Sequence, residues 1–165
     1  MSRTLFVEWR RDGFWAYDVA VGILLKHVID LANSDMAAEA TPWLAECVEQ
    51  WRINAVVGDL GLHLDPDWSP EQIRTVVTLL DRACSNLRRS PSISSGEAKS
   101  WNLLDGCGIL LRGESAFPTA PVVELGRAVR ALLNGDLDPA PHGTWWLFGA
   151  EGGRSTIARR ANNGA

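Results

Sequence analysis

Between Asp18 and Ala32, the side chains Val21, Leu24, Leu25, Val28, Ile29 and Ala32 recur at the i, i+3, i+4 spacing of an α-helix. Val19 and Ile23 add apolar surface on its other sides. A helix that is apolar nearly all round is poorly placed at a surface, so the pattern predicts a central, largely buried helix with the rest of the chain packed around it.

Other segments supply the packing partners. Thr41-Pro42 reads as an N-cap followed by proline at the first helical position, where its missing N–H costs nothing. Leu44, Cys47, Val48, Trp51 and Ala55 then form one apolar face, and Gly58 is the expected stop. Ser69-Pro70-Glu71-Gln72 has the form of a capping box, and Ile73, Val76, Val77, Leu80, Cys84 and Leu87 continue it as an unbroken stripe. Val122, Leu125, Val129, Leu132 and Leu133 make a further amphipathic helix ended by Asn134-Gly135, and Glu97 to Leu104 reads as a short one.

Strand signals are fewer. Leu5 to Trp9 alternates, Arg11-Asp12-Gly13 is a turn signal, and Phe14 to Tyr17 returns as a second strand. Ile109 to Arg112 and Thr144 to Phe148 also read as strands. Ser90 to Gly96 reads as a flexible polar loop, Asp136 to Gly143 as a loop, and the chain beyond Ile157 as frayed. The expectation is an α+β fold, mostly α. Four to five helices surround the central one, with a small sheet from the N-terminal strand or hairpin and a C-terminal strand. Residues 1–157 are read as one domain and 158–165 as a tail.

Composition bounds the function classes. With 46% apolar and 22% charged residues, the chain has an ordinary globular composition. A net charge of −4 argues against a nucleic-acid partner, whose phosphates need a basic surface. The longest apolar run, Val19 to Leu25, is too short to span a bilayer, and no leader is visible before Leu5. Cys47, Cys84 and Cys107 are odd in number and show no C-x-x-C spacing, so a reducing cytoplasm is expected. Lysine occurs only at 26 and 99, an arginine bias that suggests a GC-rich bacterial genome.

Eight tryptophans are available for a core, a cleft or an interface. Trp101, Trp145 and Trp146 are candidates for a ligand pocket. Trp68 is a candidate interface anchor, although its place before the Ser69 cap makes a hydrophobic staple against Ile73 the stronger reading. His63, Asp65 and Asp67 would share one side of an extended segment and could hold a divalent metal, but a surface loop leading into the Ser69 cap is the simpler reading. Cys107, between two glycines, is a candidate nucleophile, with His27 or His142 as base. Gly149 to Thr156 faintly resembles a phosphate loop, with the wrong spacing and Arg154 where lysine is required. No cofactor or metal is expected.

Charge distribution carries the leading functional expectation. From Asp30 to Glu71 nine acids face one base, Arg52, so this segment stands at −8 in a chain of −4. Such a field steers a basic partner and speeds association. The expected function is a non-enzymatic cytosolic binding protein, of the immunity type, that occludes a basic toxin or nuclease. Glu46, Glu49, Asp59, Asp65 and Asp67 would mimic phosphate, with Trp68 as anchor. The alternatives are a small-molecule binder or small enzyme with a tryptophan-lined pocket, and a structural subunit of a larger assembly.

Overall fold

The computed structural model describes residues 4–34, 41–58 and 61–160. Its axis is helix α1 (Asp18–Ser34), in which twelve of seventeen residues are buried, as the all-round apolar pattern requires. Helices α2 (Pro42–Val56), α3 (Pro70–Leu87) and α5 (Thr119–Asn134) pack against it. Two glycines set how closely. A Cβ on Gly22 of α1 would lie 3.0 Å from the Ala55 carbonyl of α2. One on Gly126 of α5 would lie 2.5 Å from Cys84 Sγ of α3.

Helix ends follow local chemistry. Ser69 Oγ accepts from the Gln72 N–H at 3.2 Å while Gln72 Oε1 accepts from the Ser69 N–H at 2.8 Å, so the expected capping box is complete. Gly135 ends α5 in the left-handed conformation. At α2 the expected side-chain cap is not made. Pro42 begins the helix, and the Thr41 carbonyl, not its hydroxyl, receives the Leu44 and Ala45 N–H groups.

One four-stranded sheet lies against these helices in the order β1 (Thr4–Trp9), β2 (Asp12–Tyr17), β5 (Thr144–Phe148), β6 (Ser155–Ala158). The N-terminal hairpin and the C-terminal strand therefore do join, through parallel pairing of Trp15 with Leu147 and Ala16 with Phe148. The hairpin turn is Arg10-Arg11, one residue earlier than expected, since Trp9 pairs with Asp12. Arg10 takes a left-handed φ of 57° there, and its guanidinium stacks on Trp9 and donates to the Pro66 carbonyl. Gly13 is needed within the strand, because a Cβ would meet the Val7 carbonyl at 2.5 Å. Leu5, Val7, Trp9, Phe14, Ala16 and Phe148 are buried on the inner face. Phe6, Trp15 and Trp145 form an edge-to-face cluster on the opposite, half-covered face.

Three further local expectations are corrected. Ser92–Ser94 is a strand, β3, paired with β4 (Ala116–Pro118), because Ile93 must be buried and finds Phe117 opposite. Ser94 then caps the short α4 (Ser95–Ser100) by accepting from the Glu97 N–H. Ile109 to Arg112 is not a strand. Ile109 and Leu111 turn inward and Leu110 and Arg112 outward, but no neighbouring strand pairs with them, and Ile109 N–H donates to the Ala98 carbonyl instead. Beyond Ile157 the chain is still held. Ala158 lies in β6, Arg159 N–H reaches the Gly143 carbonyl, and 161–165 fall outside the described residues.

Two buried tryptophans tie the 61–69 segment to the core. Trp9 Nε1 donates to the Asp65 carbonyl at 3.1 Å, and Trp51 Nε1 to the His63 carbonyl at 2.9 Å. Their large apolar bodies fill the core while their single donors satisfy loop carbonyls.

Candidate functional site

A concavity with a volume of about 540 Å³ opens where three segments meet. Val19 and Asp18 come from the N-terminal end of α1, Ala55 to Gly58 from the end of α2, and Gly106 to Arg112 from the loop after α4. The walls are mainly apolar. Val57 and Leu110, both in this lining, are 43% and 67% exposed and are the large apolar side chains left open to solvent among the described residues.

One ion pair organises the site. Asp18 is buried, with its Oδ1 accepting from the Val19 N–H at 2.8 Å and its Oδ2 bound by the Arg112 guanidinium. A buried carboxylate left without a partner would carry a large desolvation cost. To deliver the guanidinium, Arg112 adopts a left-handed φ of 53°, ahead of Gly113 at 87°. That conformation costs a non-glycine residue about 1 kcal/mol, and such strain is held only where surrounding contacts impose it. Gly58 leaves room for the carboxylate, since a Cβ would lie 3.2 Å from Asp18 Oδ2. The loop is fastened to α4 at Gly108, where a Cβ would strike the Ala98 carbonyl at 2.3 Å.

Cys107 stands exposed in this cleft, whereas Cys47 and Cys84 are buried. Neither candidate base joins it. His27 lies on α1 with Nδ1 2.9 Å from the Ile23 carbonyl and its ring edge-on to Trp101, and His142 is exposed before β5. Neither histidine is in the cleft lining. Burial lowers the His27 pKa below its ordinary 6.5.

The three tryptophans expected to share a pocket do not. Trp101 lines a cavity of about 310 Å³ with Lys26 and Arg52. Trp145 and Trp146 border a separate one, also about 310 Å³, beside Asp138 and Arg159. Adjacent residues of β5 point to opposite faces, so Trp145 meets Phe6 while Trp146 leans on Phe148 and donates to the Asp138 carbonyl. The phosphate-loop resemblance also dissolves. Gly149 to Arg154 connects β5 to β6, and Arg154 stacks on Trp146.

The acidic residues divide. Glu46, Glu49 and Asp67 are exposed, Asp65 is half-buried, and Asp59 lies outside the described residues. Glu46 and Asp65 both act on Cys47, whose thiol is pushed up to about 11, first by burial and then by these two carboxylates. Glu49 lies 3.7 Å from Arg52, and Arg10 sits over the 65–67 turn, so bases punctuate the surface. Trp68 is not an exposed anchor. It is 4% exposed, edge-on to Trp43 and His63. Burial is the natural outcome for an indole directly before a capped helix, whose apolar body gains more from the core than from solvent.

His63, Asp65 and Asp67 do not converge as a ligand set. Asp65 Oδ1 accepts from the Asp67 N–H, and His63 faces Trp68. Among the described residues no group of three or more His, Cys, Asp and Glu side chains is placed to hold a metal ion, and no helix is long and apolar enough to cross a membrane. The cleft could not be found in the sequence because its walls lie far apart in the chain, although the Arg112-Gly113 and Asp105-Gly106 pairs, all at positive φ, mark its turns. No protein-family model matches this chain, and neither a curated protein nor a solved structure matches it.

Proposed function

We propose that this is a binding protein whose ligand seat is the cleft between α1, α2 and the 106–112 loop. The observation that carries the reading is the cleft itself, about 540 Å³ with Val57 and Leu110 exposed in its lining. That volume falls in the range of small-molecule sites, and exposed large apolar side chains at a concavity mark binding. The Asp18–Arg112 pair supplies a polar end that orients an amphipathic ligand. The test uses the apolar dye anilinonaphthalene sulfonate as a surrogate ligand. It should bind at one site, slow the alkylation of Cys107, and lose affinity several-fold in Leu110→Ser. Equal affinity in the variant, with no protection of Cys107, would remove this reading.

A second reading keeps the acidic surface as a seat for a basic protein, as an immunity-type inhibitor of a toxin or nuclease would use it. It is favoured by the exposure of Glu46, Glu49 and Asp67, with Asp65 half-buried, in a segment whose net charge is −8. Oligo-arginine peptides should bind in a salt-dependent manner, and Glu46→Lys with Asp67→Lys should abolish the salt dependence. Unchanged binding by the double variant would discard the acidic surface and leave the cleft.

A further inference from the structure

The smaller cavity beside Trp101 carries a second, independent inference. It lies between α1, α2 and residues 100–103 and holds about 310 Å³. Its charged lining is Lys26, Asp30 and Arg52. Lys26 pairs with Asp30 one turn along α1, and its ammonium also lies 5.2 Å from the Trp101 ring centroid. Arg52 is the one base in the acidic stretch from Asp30 to Glu71.

Arg52 is incompletely satisfied. Its Nε is shielded from solvent and has no hydrogen-bond acceptor. The Glu49 carboxylate stands 3.7 Å away, beyond hydrogen-bond range. A shielded donor without an acceptor carries its desolvation cost uncompensated. Natural structures rarely keep such a group without a reason. The guanidinium edge formed by Nε and Nη is a fork that matches the two oxygens of a carboxylate or phosphate. Lys26 offers a second positive charge to the same cavity. Asn33, Ser100 and Asn102 add neutral polar groups to its lining. The carbonyl end of α1 is close, but its field falls off within the last turn, and with Asp30 set against Lys26 and Arg52 the lining keeps one net positive charge.

We propose that this cavity binds a compact ligand through an oxyanion, either carboxylate or phosphate, with Arg52 turning its Nε–Nη edge onto that group and Lys26 neutralising it. The volume is at the small end of ligand sites, which favours a metabolite-sized molecule over a polymer.

The test follows the Arg52 Nε–H resonance in a proton–nitrogen spectrum during titration with inorganic phosphate and, separately, with succinate, sodium chloride holding ionic strength constant. A saturable shift with phosphate alone assigns a phosphoryl ligand, and one with succinate alone assigns a carboxylate. A saturable shift with both supports a general oxyanion seat. Arg52→Gln should weaken the effective anion at least tenfold, read from the thermal midpoint against anion concentration, and Lys26→Gln should weaken it by a smaller factor. A resonance that responds to neither anion beyond the chloride control overturns the proposal. So does an Arg52→Gln protein that keeps the same anion-dependent midpoint. If that variant does not fold, the wild-type titration and Lys26→Gln decide.

Discussion

The layer around α1 and the loop from Leu104 to Gly113 solve the folding problem in opposite ways. In the layer, large side chains such as Trp51, Phe14, Ile23 and Leu24 lose almost all contact with water, and backbone polar groups are satisfied within helices and strands. In the loop only Ile109 and Leu111 are buried, Leu110 and Cys107 face solvent, and Asp105 and Arg112 take left-handed conformations. The loop keeps its shape through a few specific bonds, chiefly Ile109 N–H to the Ala98 carbonyl and Arg112 to Asp18. Stability is therefore stored as buried area in one region, and geometry is stored as individual contacts in the other. Substitutions should separate the two.

The largest effect belongs to the layer. Trp51 is 1% exposed and its indole N–H holds the His63 carbonyl. Trp51→Ala leaves a cavity and an unsatisfied acceptor, and should cost about 3–5 kcal/mol in urea unfolding. A loss below about 1 kcal/mol would mean that the core relaxes far more than close packing allows. The loop answers differently. Gly108→Ala would place a Cβ against the backbone carbonyls of Ala98 and Lys99, at 2.3 and 2.5 Å, and neither can yield as a flexible side chain would. The expected cost is smaller, about 1–3 kcal/mol, but the loop must lift from α4. Cys107 alkylation should therefore change rate in Gly108→Ala under native conditions and stay unchanged in Trp51→Ala. The same rate in both variants would erase the proposed division.

The division also governs what the sequence could announce. The capping box at Ser69 was legible because Ser69, Pro70 and Gln72 are neighbours in the chain, and Ser69→Ala should cost about 1 kcal/mol, read as a lowered urea midpoint. The axial role of α1 followed from its own periodicity. By contrast, β3 depends on Phe117, which lies 24 residues beyond Ile93, and a serine-rich run gives no local sign of that partner. A local signal did exist for α4: Ser94 and Glu97 have the spacing of a capping motif, and Ser94 Oγ does cap. Ile109 to Arg112 was read as a strand from its own residues, but pairing is a property of two segments, and this one has α4 beside it instead of a strand. The tryptophans misled for a related reason. Composition counts indoles, while the fold distributes Trp101, Trp145 and Trp146 between two cavities. For Trp68 the acidic neighbours suggested an anchor and the Ser69 cap, more strongly, a packed staple; it is buried, against Trp43 and His63.

His27 sits on the seam between the two regions, on α1 but edge-on to Trp101, and yields the smallest effect because it rests on one ionisation. Burial lowers its pKa below 6.5 more than the Ile23 carbonyl raises it, and nearby Lys26 lowers it further against the opposing pull of Asp30 and Glu97. The unfolded chain therefore binds the proton at a higher pH than the folded one. The stability contributed by neutral His27 is complete above about pH 6.5 and declines as pH falls from there to the folded pKa, below which no further loss accrues. The urea midpoint should drop between pH 7.5 and 5.5, and His27→Gln should flatten that drop while leaving the acid response of the carboxylates in place. A midpoint that rises on acidification in the wild-type chain, and ceases to rise in His27→Gln, would mean that Asp30 and Glu97 outweigh burial. The seam would then be held by charge, as the loop is, and not by exclusion of water, as the layer is.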